Sequence, residues 1–479
     1  MKPSCCNKRL LLLWLALLLP ITATAKSALV YYGDDLSWNM AGVHDYIIIQ
    51  PDHIATDTHG FRTYADRVYA YVSLGEAEPS REYFKRLDPD WLFEENKAWQ
   101  SRITDLSDPD YRRFMLEEVI APLHAQGFRN FFFDTLDSYR KLDRKLWEAQ
   151  EAGLVELIRA VHRRFPEGRL VLNRGFGIID TVADAVTAIL FESYYRGLDD
   201  RLEYAPLNEA DRQWLDAMLA PARVHGLDII AVDYLADLHG DEAHQDVKAL
   251  EAKGFIPYIA DKHLMRYGLS SREAVRREIL ALYDGDLYPA HFQGVHQFGS
   301  MPLEYLGYVP VLKDFRHYAL PEHPEERFAG VLLWMESDYP RPAALFDWVT
   351  RNAEHGLFTL FFRGFGTDEL AQYLPLLQIA VKPGSTAYSV PRTIETRAPM
   401  IGLEAPVRIM PHPWLLQPRD ATPLLRYREE GVDSDLAAIT PWGGYALGES
   451  SMIEFGPDNL WVADPFRLFV RALRLPPLP

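Results

Sequence analysis

Two stretches of this sequence place a carboxylate where it could do chemistry. In NFFFD, Asn130 to Asp134, three consecutive phenylalanines run into an acid; in AILFE, Ala188 to Glu192, four apolar residues do the same. A carboxylate after a wholly apolar segment is costly to desolvate unless it is put to use. Two such acids suit glycoside cleavage: one protonates the departing oxygen, and the other attacks the anomeric carbon or activates a water. A separation near ~5 Å would give retention of configuration, and ~6.5–9.5 Å inversion. Taken singly, either acid has a plainer use as the cap of the helix or turn that follows.

Polar groups also end other apolar runs, at Tyr32, Glu76, Asn173, Asp233 and Asp261. Around the acids, SLGEAEPS, LNRGFG and FESYYRG supply rings and hydrogen-bonding groups. Aromatic rings stack on sugar faces and amides bind hydroxyls. The candidate catalytic pair is Asp134 and Glu192. The candidate substrate-binding residues are Tyr32, Glu76, Asp137, Tyr139, Asn173, Tyr194, Tyr195 and Asp233.

The elements that must hold these residues are legible. ALVYY, YIIIQ, VYAYVSL, NFFFD, LVLN, AILFE, DIIAVD and IPYIAD, between Ala28 and Asp261, make eight strand-like runs. Most lack the alternation of a half-exposed sheet, as expected of parallel strands covered on both faces. Helical patterns lie between them. SDPDYRRFMLEEVIAPLHAQG predicts a helix capped by Ser107 and stopped at Gly127, with Met115, Val119 and Leu123 on one face; NEADRQWLDAMLAPARVHG predicts one from Asn208 to Gly226. Eight strands alternating with helices over this length predict a (β/α)8 TIM barrel with its chemistry at the carboxyl ends of the strands. An open doubly wound sheet is the alternative, but YYGDDLSW stands where its Gly-rich phosphate loop belongs.

The 479 residues are 48% hydrophobic and 25% charged, the composition of a globular chain with a large core. Lys2, Lys8 and Arg9 precede LLLWLALLL, and ATA follows at Ala23 to Ala25. This is the pattern of a cleavable signal peptide over 1–25, so a periplasmic or secreted protein with no membrane span is expected. Both cysteines, Cys5 and Cys6, fall in that leader, which leaves no disulfide and no thiolate ligand behind. Of 50 Lys and Arg against 68 Asp and Glu, three basic residues and no acid precede Lys26. The remaining 47 against 68 give a balance of −21. Such a surface repels nucleic acid and attracts a cationic ligand, or serves solubility alone.

YVSLGEAEPSREYFK, FFFDTLDSY and ILFESYYR resemble the barrel of exported α-1,4-galactosaminidase-type glycoside hydrolases, glycoside hydrolase family 114. The resemblance spans roughly Lys26 to Ser270. It implies endo-acting hydrolysis of a partly de-N-acetylated N-acetylgalactosamine polymer, a Pel-like biofilm exopolysaccharide. It also implies Asp134 and Glu192 as the catalytic pair and no cofactor. Analogy with other barrels makes Asp134 the nucleophile and Glu192 the acid/base, the reverse order staying open. A polymer of this kind is cationic, which gives the acidic balance a purpose. Proteins that export or modify the exopolysaccharide are the partners implied. Members of this kind usually continue into a zinc-dependent deacetylase. No two histidines here have its H-x-x-x-H spacing, so a hydrolase without its own deacetylase is expected.

Beyond the barrel, GVLLWMESDYPRPAALFDWVTRNAEHGLFTLFFRGFG reads as strand, helix (Pro342 to His355) and strand. The expected organisation is a signal peptide over 1–25, the barrel over 26–270, a small α/β (Rossmann- or flavodoxin-like) domain over 271–380 and a β-rich region over 381–479. RGFG at Arg363 echoes RGFG at Arg174 as two strands ending in the same turn, and neither completes a nucleotide motif. The pairs His239/His244 and His291/His296 fit no metal pattern. Lys262 suits a Schiff base, but export disfavours a metabolic aldolase. The functional alternative is a catalytically silent polysaccharide-binding or scaffold protein of an export system, which has no need of two strand-end acids.

Overall fold

The structure, a computed structural model, describes residues 25–97, 99–199, 201–396, 411–447 and 464–476. The expected leader falls, but for Ala25, outside them. The chain divides into two compact units between Glu273 and Ala274.

The first unit is built on eight parallel strands: β1 (Ala28–Tyr31), β2 (Tyr46–Ile49), β3 (Val68–Ser73), β4 (Asn130–Asp134), β5 (Leu170–Asn173), β6 (Ala188–Glu192), β7 (Asp228–Tyr234) and β8 (Ile256–Ala260). Each pairs in parallel with the next in chain order. Their residues are buried nearly throughout, because side chains fill the ring on one face and meet helices on the other. The seam between β8 and β1 is closed by a short strand, Leu269–Ser270, antiparallel to β8. From it Ser270 Oγ accepts the Ala28 N–H at 3.1 Å, and the Tyr32 N–H reaches the Leu264 carbonyl at 2.7 Å. The result is a nearly closed (β/α)8 barrel.

The helices follow the apolar periodicity with local differences. Asn208 caps Glu209–Val224 through Asp211 N–H, and Gly226 (φ +68°) ends it. The helix expected to start at Ser107 is capped one residue later. Asp108 accepts the N–H groups of Asp110 and Tyr111, because Pro109 takes the first helical position. A wide π turn over Met115–Ile120 rotates the apolar face, so Ile120 is buried and Leu123 only half-buried. Two additions sit among the loops that follow strand ends. One is a three-stranded antiparallel sheet of Glu76–Ala77, Leu92–Asn96 and Ser101–Thr104, and the other a hairpin of Arg196–Leu198 with Tyr204–Pro206.

The second unit holds one eight-stranded sheet. Val309–Asp314, Glu278–Tyr283, Phe328–Trp334, Thr359–Arg363 and Gly443–Leu447 lie side by side and parallel. Val432–Thr440, Thr422–Glu429 and Arg392–Thr396 extend the sheet antiparallel. The expected helix is present at Pro342–Glu354, packing Leu345, Phe346 and Val349 into the core on one face; Leu303, Leu468 and Phe469 fill the other. Most of the β-rich C-terminal strands therefore lie in the same sheet as the α/β strands, while Trp414–Pro418 pairs antiparallel with Ile379–Pro383 in a separate two-stranded sheet; both regions fall within one compact unit.

Candidate active site

The ends of β4, β5 and β6 form the centre of the site. Asp134 closes β4, Asn173 closes β5 and Glu192 closes β6. Asn173 Nδ2 donates to Asp134 Oδ1 at 2.8 Å and to Glu192 Oε1 at 3.1 Å. One nitrogen serves both acids, so these two oxygens lie no more than about 6 Å apart. Asn173 Oδ1 is buried without a hydrogen-bond partner.

The backbone at these three corners is alike. The residue after each side chain, Thr135 (φ +63°), Arg174 (φ +57°) and Ser193 (φ +68°), is left-handed without being glycine. Each such residue costs of order 1–3 kcal/mol and persists only where its surroundings fix it. Here the Arg174 N–H bonds Leu190 O at 2.7 Å and the Ser193 N–H bonds Val232 O at 2.8 Å, continuing the ladder to the next strand through the bend.

Tyrosines surround the acids. Tyr71 donates to Asp134 Oδ2 at 2.8 Å, and Tyr234, the last residue of β7, hydrogen-bonds Glu192. Tyr32 sits edge-on to Tyr71 with centroids 5.3 Å apart and feels both carboxylate charges. Burial first, then the acids, hold all three hydroxyls protonated, well above the usual phenol value. Burial raises the Asp134 carboxyl above the ordinary carboxylate range and the Glu192 charge adds to it; the Thr135 N–H, Tyr71 and Asn173 pull the other way. A cavity of about 440 Å³ adjoins Tyr71, with Arg81 over its ring at 5.3 Å and Asp52, Glu82 and Glu118 in its wall.

Of the residues singled out in the sequence, Asp134, Glu192, Asn173 and Tyr32 are brought together; the others are engaged elsewhere. Glu76 is buried in the small sheet, where it accepts from Asn96 Nδ2 at 2.9 Å, from Ser138 Oγ at 2.6 Å and from Ser101, with Lys141 Nζ at 3.7 Å. It ties the β3 and β4 loops. Asp137 is held by the Gly175 N–H and Arg140, at 3.8 Å. Tyr139 is buried and donates to Glu151 Oε2 at 2.6 Å. Tyr194 packs among Phe191, Phe255 and Tyr195, with its hydroxyl on Asp216 at 3.1 Å. Tyr195 lies half-buried beneath Arg212, at 5.7 Å. Asp233 is fully buried and accepts three backbone N–H groups, from Tyr194, Tyr195 and Arg196, at 2.5, 2.8 and 3.0 Å.

Asp233 and Tyr234 show how the sequence reading slipped by one residue. Val232 pairs in register with Glu192, so Tyr234 shares their face and Asp233 points outward toward the helices. Tyr71 lies on the same face as Ser73, the register partner of Asp134. Strand register is the signal that finds Tyr71 and Tyr234. Among the described residues one group of side chains has metal-binding proximity, His323, Glu325 and Glu326, and it lies in the second unit.

Residues 41–277 match glycoside-hydrolase family GH114. Among solved structures, the chain is similar to the glycoside hydrolase domain of PelA from Pseudomonas aeruginosa, at 26% identity over 51% of this chain and 98% of that one, with a TM-score of 0.48. It is also similar to Aspergillus fumigatus Ega3, solved in complex with galactosamine, at 16% identity over 50% of this chain and 92% of that one, with a TM-score of 0.40. No curated protein matches it. The match covers seven of the eight strands and both strand-end acids: the barrel of this chain is similar to glycoside-hydrolase family GH114, and the protein is a glycoside hydrolase.

Proposed function

We propose that the protein is an exported endo-acting hydrolase of α-1,4-linked, partly de-N-acetylated N-acetylgalactosamine exopolysaccharide, and that it works with retention of configuration. The observation that carries the reading is the shared Asn173 nitrogen, which sets Asp134 and Glu192 at a spacing suited to a nucleophile and an acid/base. Asp134 accepts three hydrogen bonds across its two oxygens, which favour its charged form. It is the nucleophile: it attacks the anomeric carbon while Glu192 protonates the departing oxygen. Glu192 then takes a proton from water, which releases the glycosyl–Asp134 ester. Asn173 and Tyr71 hold the attacking carboxylate, and Tyr234 holds Glu192.

The galactosamine in the solved relative supports the substrate class, and the −21 balance favours a cationic chain. The N-terminal pattern supports export to the periplasm or beyond, and no helix among the described residues is long and apolar enough to cross a membrane. The test is incubation of the mature protein with deacetylated galactosamine oligomers, reading product masses and anomeric configuration by NMR. Internal cuts yielding α-anomeric products are expected. No cleavage of such oligomers overturns the substrate assignment, and β-anomers overturn retention.

A further inference from the structure

On the outward face of β7, Asp233 meets a carboxyl group from the helix Asp241–Ala252, a pair that the reaction does not use. Asp233 is fully buried, and its three acceptor bonds fall on consecutive N–H groups, Tyr194 to Arg196, directly after Glu192 and the left-handed Ser193. It clamps the turn that starts at the acid. Against it lies Asp246, on the helix Asp241–Ala252, which is also buried and hydrogen-bonded carboxyl to carboxyl with Asp233. Asp246 receives no donor from the backbone, and its Oδ2 has no partner.

Two buried carboxyl groups in contact cannot both be ionised. The three N–H groups stabilise charge on Asp233, and nothing comparable does so on Asp246, so the proton of the pair resides on Asp246. Burial, and then the Asp233 charge, push the Asp246 carboxyl up to about 8. The other charged groups that face it are Arg196, from the clamped turn, and Glu242, one helical turn earlier. They act on it in opposite senses and pair with each other at 2.7 Å.

We propose that Asp246 is a positioning residue: its protonated carboxyl holds Asp233, Asp233 holds the Tyr194–Arg196 turn, and the turn aims Glu192, so that loss of the Asp246 proton loosens the acid and slows the enzyme in alkaline solution. The catalytic consequence rests on the role of Glu192 given above; the latch itself does not. The sign for stability follows the same proton. The folded chain binds it and the unfolded chain does not, so stability falls as pH rises from the ordinary carboxyl range toward about 8, and levels off beyond.

The mature protein, Asp246→Asn and Asp246→Leu separate the possibilities. Asn keeps a donor that does not titrate, and Leu has none. For the wild type, kcat is expected to fall at least about tenfold above pH 8 with KM little changed, and protection of the Tyr194–Arg196 amides from hydrogen exchange to fall over the same range. Asp246→Asn should abolish both pH effects and Asp246→Leu should lose protection at every pH. Identical alkaline limbs in wild type and Asp246→Asn, or wild-type protection that is flat with pH, overturns the proposal. If Asp246→Asn does not fold, a carbon-13 titration of the wild-type carboxyls decides: an Asp246 signal titrating in the ordinary carboxyl range overturns it. Should Glu192→Gln retain cleavage, the role of Glu192 fails, while the amide protection still reports on the latch.

Discussion

Asp134 meets its hydrogen-bond donors on both oxygens, and this decides what single substitutions should do. Asp134→Asn and Glu192→Gln are each expected to lower kcat by roughly 10³-fold or more while the thermal midpoint moves by only a few degrees. Near-wild-type turnover in either would end the assignment. Tyr71→Phe removes a donor to the charged form of Asp134, so the acid limb of kcat/KM should move to higher pH, with kcat falling about tenfold or more. A limb unmoved from wild type would place Tyr71 outside the reaction. Asp134, Glu192 and Asn173 were legible because each closes a continuous apolar run. Tyr234 was not: in DIIAVDY two polar residues end the run on opposite faces, and an unbroken apolar strand carries no mark of which face is the interior. Glu76, Asp137 and Tyr139 sit near the right strand ends, but their side chains are spent on holding loops together.

At the scale of elements, the strands were readable to within a residue or so because burial on both faces leaves no polar alternation to blur them. The π turn at Met115–Ile120 leaves no such trace, since one extra residue per turn hardly alters the apolar spacing. The C-terminal strands read as β-rich, but which sheet they joined depended on pairings far apart in sequence, such as Thr359–Arg363 with Gly443–Leu447. The corner after β3 shows how closely neighbouring loops approach. A Cβ on Gly75 would come within 2.2 Å of the Thr135 carbonyl oxygen, and the Gly75 N–H donates to Thr135 Oγ1 at 2.9 Å. Gly75→Ala must therefore displace the residue next to Asp134. A loss of roughly 1–3 kcal/mol in stability is expected, together with a fall in kcat larger than the change in KM. Wild-type kcat in a folded Gly75→Ala protein would show that this corner does not set the acid.

For the molecule as a whole, charge should govern the encounter with substrate. If the acidic balance of the chain draws in a cationic polymer, kcat/KM on deacetylated polymer should fall as ionic strength rises from ~0.05 to ~0.5 M, and fully acetylated polymer should respond little. Equal salt dependence for both would leave the acidity to solubility. The barrel seam has a different implication. Ser270 Oγ takes the Ala28 N–H, and the Arg272 N–H returns to Ser27 Oγ at 3.3 Å, so the first and last residues of the barrel are already neighbours. A chain whose ends meet is topologically a circle cut at an arbitrary point. In the barrel taken without the second unit, Ser27 and Arg272 could be joined by a short linker and a new break opened at the solvent-facing Lys253–Gly254 turn, on the rim opposite the acids, leaving every strand pairing and Asn173's two bonds in place.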